Sequence, residues 1–131
     1  MPEVLGAIAK RYRIRLVLQF GSSVTGRDHV RSDVDIAVLL EQPTLSSTEY
    51  AQLLHELQRH FPDREADLAL LNHADPLFLK KITDHCEILY GPVEELHKLK
   101  IYAFKRYQDH RRYFEMERRF VDRFLADRRR A

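Results

Sequence analysis

The sequence contains a single cysteine, Cys86, among 131 residues. That scarcity excludes an intrachain disulfide and any zinc site built from several cysteines. Long apolar runs are also missing. The most apolar stretches, such as 34–40 with Asp35 inside it, fall far short of the roughly 20 residues a membrane span needs. The segment 1–13 has charges on both sides of a short apolar patch and no cleavage-like stretch, so it does not read as a signal peptide. Net charge is nearly absent: 22 Lys and Arg against 20 Asp and Glu leave +2, which by itself favours no class of partner. No repeat or low-complexity segment occurs. The expectation is a soluble protein in a reducing, cytoplasmic setting.

What is present is enough to fold. Hydrophobic residues make up 44% and charged residues 32%, a composition that builds a core and argues against wholesale disorder. The length fits one domain spanning 1–131, since domains run to roughly 100–200 residues. The charge is unevenly placed. Residues 1–97 hold 10 basic and 15 acidic side chains, whereas 98–131 hold 12 basic and 5 acidic ones. The basic end is either one solvated face of a long helix or an electrostatic handle for an acidic partner or a polyanion.

Periodicity orders the elements. The 3,4 spacing of Val4, Leu5, Ile8 and Ala9 predicts a helix over 2–12. Residues 14–20 and 33–40 read as strands, the second apolar enough at its far end to be buried. Gly21–Gly26 is a turn leading into a loop or very short helix, and 28–32 is polar connection. Ser46 or Ser47 caps a helix over 48–60, and Pro62 stops it. A third strand covers 66–71. Asp75-Pro76 starts a helix running to about residue 84. Residues 87–90 read as a short strand or an extended link. Pro92 opens a long last helix, 92–125, with 126–131 a basic tail. This α-β-β-α-β-α-β-α order predicts an α+β domain with a small mixed sheet and helices on one side.

One stretch carries chemistry: Gly21-Ser22, ten residues, then Asp33-Val34-Asp35. Gly21, where a strand meets a turn, tolerates positive φ and lets a ligand approach the backbone. Ser22 adds a hydroxyl beside free backbone N–H groups, a natural phosphate site. Asp33 and Asp35 stand two apart on a strand, which puts both carboxylates on one face about 6.5 Å apart. Like charges so close call for a cation, and a hard ion such as Mg²⁺ prefers oxygen ligands. Asp67 joins them if its strand neighbours that of Asp35. Three carboxylates around Mg²⁺ beside a phosphate-binding turn is an arrangement for nucleotidyl transfer, with the third carboxylate as candidate general base. Glu65, two residues before Asp67, competes for that role.

These residues resemble a known family. Phe20-Gly21-Ser22, ten residues, then Asp33-Val34-Asp35-Ile36-Ala37-Val38-Leu39 is similar to the signature of the DNA polymerase β-type nucleotidyltransferases. The small size and Asp67-Leu68-Ala69-Leu70-Leu71-Asn72 narrow the resemblance to minimal nucleotidyltransferases (MNT), the antitoxin half of HEPN/MNT toxin–antitoxin pairs. It covers roughly residues 13–90. Departures from many relatives occur at Ser23-Val24 and at His85-Cys86. The resemblance implies ATP as substrate and Mg²⁺ as cofactor, held by Asp33, Asp35 and Asp67. It implies that Gly21 and Ser22 contact the triphosphate and that Asp67 activates the acceptor. The implied acceptor is a tyrosine of a cognate HEPN RNase toxin, silenced by added AMP within a hetero-oligomer. The alternatives are a non-catalytic antitoxin that masks the toxin by binding, and transfer to a small molecule or an RNA end.

Other features carry less. Seven scattered histidines show no zinc spacing. Cys86 reads as a small buried hydrophobe. The last helix bears Tyr102, Phe104, Tyr107, Tyr113, Phe114, Phe120 and Phe124, more aromatic surface than a small sheet covers. A partner-binding face is the leading reading of that excess. Core coverage comes next, and nucleic acid is the least expected contact.

Overall fold

Alternation of apolar residues in two directions gives this sheet two buried faces. The computed structural model describes residues 2–21 and 33–130. The element order is α1 (Pro2–Tyr12), β1 (Ile14–Phe20), β2 (Val34–Leu40), α2 (Ser47–Gln58), β3 (Ala66–Leu70), α3 (Pro76–Asp84), β4 (Cys86–Tyr90) and α4 (Val93–Arg130). The strands lie in the order β3-β2-β1-β4. β1 pairs antiparallel with both β2 and β4, and β2 pairs parallel with β3, so the sheet is mixed as expected.

The expectation of helices on one side does not hold. Val34, Ile36 and Val38 of β2 pack toward Ile8 and Ala9 of α1 and Leu53 and Leu57 of α2. Ala37 belongs to the opposite cluster with Leu16 and Leu18 of β1, Leu79 and Ile82 of α3, and Leu96, Leu99 and Ala103 of α4. Both faces of β2 are apolar beyond Asp35, and each needs its own cover. Only the first residues of the strand break that rule, which is where the acidic pair sits.

Local chemistry fixes the helix starts. Ser46 caps α2: its Oγ accepts from Glu49 N at 3.1 Å while Glu49 Oε1 accepts from Ser46 N at 3.2 Å, a reciprocal capping box. Asp75 caps α3 through a carboxylate that accepts from Leu77 N at 2.9 Å, with Pro76 in the first turn. Asn72 ties the far end of β2 to the chain after β3: its Nδ2 donates to Leu40 O at 2.8 Å and its Oδ1 accepts from Leu40 N at 2.9 Å.

α4 has 38 residues and is about 57 Å long at 1.5 Å per residue. It runs past residue 125 to Arg130 because neither glycine nor proline follows Pro92. Its first part is core, with Leu96, Leu99 and Ala103 buried. From residue 111 to 127 every position is exposed. The helix therefore both covers the sheet and projects beyond it. Among the described residues, no helix is long and apolar enough to cross a membrane.

Candidate active site

The end of β1 and the starts of β2 and β3 meet at one corner of the sheet. Phe20 is the register partner of Asp35 across the antiparallel pair, and Asp35 is the register partner of Asp67 across the parallel pair. Adjacent strands lie about 4.8 Å apart, which makes the two carboxylate residues direct neighbours. With a side-chain period of two, Asp35 shares the face of Ala37 and Asp67 that of Ala69, so both lie on the α3/α4 side. Asp33 is the residue before β2 and is exposed. The strand thus begins one residue later than the sequence pattern predicts. The start of β2 is pinned by Val34 N, which donates to Glu65 O at 2.8 Å.

The placement has an electrostatic consequence. Burial holds the Asp35 carboxyl above its ordinary range, and the charges of Asp67 and then Asp33 push it further the same way. Glu65 is exposed and is not among the charges acting on Asp35, so the geometry brings Asp67 rather than Glu65 to this carboxylate.

Gly21 completes the corner. Its φ of +81° is in the region that side chains avoid. A Cβ placed there would collide with Asp35 Oδ2. The turn therefore packs its backbone directly against the acidic group, and only glycine permits both the conformation and the approach. Ser22 lies outside the described residues, as do the rest of the predicted Gly21–Gly26 turn and the connection at 28–32.

A hard divalent cation takes oxygen ligands and would relieve the repulsion at Asp35, so this donor set fits Mg²⁺. Among the described residues, no three His, Cys, Asp or Glu side chains stand together in an arrangement that holds a metal ion. Of the three carboxylates the sequence nominates, Asp35 and Asp67 are brought into register and Asp33 lies just ahead of β2.

Two aromatic neighbours were not legible in the motif. Phe20 meets Phe78 of α3 edge to face, ring centroids 5.9 Å apart. Phe78 is 40% exposed and borders the same side of the sheet. Its position in the first turn after Asp75-Pro76 is the sequence signal, but the strand order was needed to place it. Cys86 is half-buried and burial pushes its thiol up, as suits a packing residue rather than a nucleophile.

The profile of the family described as "Polymerase beta, Nucleotidyltransferase" matches residues 3–95. The chain belongs to that family. A comparison with curated proteins found no match. Among solved structures, this nucleotidyltransferase chain is similar to one from a toxin–antitoxin with AMP-PNP, at TM-score 0.73 and 22% identity, covering 95% of this chain and 98% of that one. It is also similar to one from a tri-AMPylated Shewanella oneidensis HEPN toxin in complex with MNT antitoxin, at TM-score 0.66 and 20% identity, covering 95% of each. A third similar structure is the toxin–antitoxin MntA-HepT, at TM-score 0.66 and 20% identity, covering 95% of this chain and 96% of that one. At these identities the likeness shows a shared fold, the polymerase β nucleotidyltransferase fold with a long C-terminal helix.

Proposed function

We propose that this nucleotidyltransferase is an antitoxin that transfers AMP from ATP to a tyrosine of a cognate HEPN RNase toxin and so silences it. The observation that carries the reading is the parallel register of Asp35 with Asp67, beside a glycine turn packed against Asp35. The similar structures support the substrate: one contains AMP-PNP, and another a tri-AMPylated HEPN toxin.

In this mechanism the Gly21 turn lets the triphosphate lie against backbone, with Ser22 as the second contact. Asp33, Asp35 and Asp67 would hold Mg²⁺, which when bound would make the acceptor hydroxyl more acidic and neutralise charge on the phosphates. Asp67 takes the tyrosyl proton as the new oxygen–phosphorus bond forms at the α-phosphate. The bond between the α- and β-phosphates breaks, and pyrophosphate leaves. Phe78 and Phe20 form an apolar wall beside the reacting groups.

The test is incubation of the purified chain with Mg²⁺ and ATP labelled at the α- or the γ-phosphate, together with the proposed cognate HEPN protein. Label from the α-position on the HEPN protein, and none from the γ-position, is the expected result. Tight association without label would favour masking by binding, the reading to which the exposed outer part of α4 gives independent weight.

A further inference from the structure

Strand register lines up four side chains in one row across the sheet. Asp67 of β3 pairs with Asp35 of β2, Asp35 with Phe20 of β1, and Phe20 with Cys86 of β4. Register partners point to the same face, here the one that α3 and α4 cover. Strands lie about 4.8 Å apart, so Asp67 and Phe20 flank Asp35 from opposite sides, about 10 Å from each other. The row is acidic at one end and apolar at the other.

Phe78 extends the apolar end. Its ring meets that of Phe20 at a centroid distance of 5.9 Å and an interplanar angle of 82°. In such an edge-to-face pair Phe20 covers at most one face of Phe78. Phe78 is 40% exposed, whereas Leu79 and Ile82 of the same helix are buried in the core. An open aromatic face beside the carboxylates is a surface on which another flat ring can stack.

The order of the row selects that ring. In the proposed mechanism the acceptor oxygen reaches Asp67, whose strand β3 is one edge of the sheet. The triphosphate lies against Gly21, the residue that follows Phe20. The aromatic end is therefore on the nucleotide's side of Asp35, away from the acceptor's side.

We infer that Phe78, braced by Phe20, is the platform on which the base of the nucleotide stacks, and that the site takes purine nucleoside triphosphates by the face of the base. The inference rests on the transferase reading for the position of the phosphates. Stacking grows with ring area and does not read the base edge, so ATP and GTP are expected to bind within about threefold of each other, and UTP more weakly than either.

The chain contains no tryptophan. Phe78→Trp thus places a single indole emitter at the platform of the full-length protein. ATP and GTP with Mg²⁺ are expected to quench it, and tripolyphosphate, which carries the phosphates without a base, is expected to leave it unchanged. Calorimetry supplies the second readout. Phe78→Leu keeps apolar bulk against Phe20 but has no ring, and is expected to lose at least about 10-fold in ATP affinity while binding tripolyphosphate as wild type does. Phe78→Tyr is expected to bind ATP as wild type; a purely structural position would tolerate leucine as well as tyrosine. Circular dichroism checks that each variant is folded. ATP binding by Phe78→Leu within about threefold of wild type, or equal quenching by tripolyphosphate and ATP, would overturn the platform and leave the transferase reading standing. UTP bound as tightly as ATP would overturn the purine preference. Quenching by ATP and weakened binding by Phe78→Leu, with no mass gain on the proposed HEPN protein, would uphold the platform and overturn the toxin as acceptor. Wild type that binds neither ATP nor tripolyphosphate would overturn both.

Discussion

Asp35 and Asp67 are register partners on adjacent parallel strands, and the charge of Asp67 helps to hold the Asp35 carboxyl above its ordinary range. Two carboxylates side by side, Asp35 half-buried and Asp67 exposed, repel each other and add nothing to the stability of the fold. The repulsion is a standing cost of the metal-free protein. It is the property expected of a site built to receive a cation.

That cost predicts a pH signature. A carboxyl raised in the folded state binds its proton more readily there than in the unfolded chain. Its contribution to stability is therefore fully present below the unfolded value and is lost as pH rises through the raised folded value. Asp35→Asn in metal-free protein is expected to melt above wild type at pH 7, and the gap should close as pH falls below about 4. Added Mg²⁺ is expected to raise the melting temperature of wild type more than that of the variant. Thermal melts across pH, with and without Mg²⁺, check both. A variant less stable than wild type at pH 7 would contradict the electrostatic account.

Gly21→Ala meets two obstacles. The left-handed conformation costs a side chain at least about 1–2 kcal/mol, and the new Cβ collides with the Asp35 carboxylate. The expected outcome is a lower melting temperature together with a disproportionate loss of transfer, because the collision displaces Asp35 itself. A variant that loses stability but keeps full activity would show that the turn does not position the site.

Asn72→Ala separates structure from chemistry. It removes a donor and an acceptor, both engaged by Leu40 at the end of β2 far from Asp35. A loss of about 1–3 kcal/mol in stability is expected from the unpaired backbone groups, with little change in transfer rate at temperatures where the protein stays folded. Urea unfolding and a rate assay at low temperature together decide it. A large rate loss with unchanged stability would place Asn72 in the site instead.

Much of this architecture was legible in the residues. Apart from the far end of α4, the described helices and strands fall within two residues of their periodic patterns, because caps such as Ser46 and Asp75 and stops such as Pro62 punctuate the chain chemically. The proximity of Asp67 to Asp35 followed only conditionally, on the strand order, which periodicity does not encode. The two-sided cover of the sheet was misjudged. The continuous apolar run 36–40 in β2 predicts burial, and the structure shows why it is continuous: the strand is enclosed on both faces. Phe78 was hidden for a similar reason: its partner Phe20 is 58 positions away in sequence, and no local pattern links them.

The most direct measurement is intact mass of the proposed HEPN partner after incubation with ATP, Mg²⁺ and either wild type, Asp35→Asn or Asp67→Asn. The account predicts added AMP with wild type and a rate at least about 100-fold lower with each variant, although both variants remain folded and bind the partner. Added AMP at near wild-type rate with either variant would contradict it.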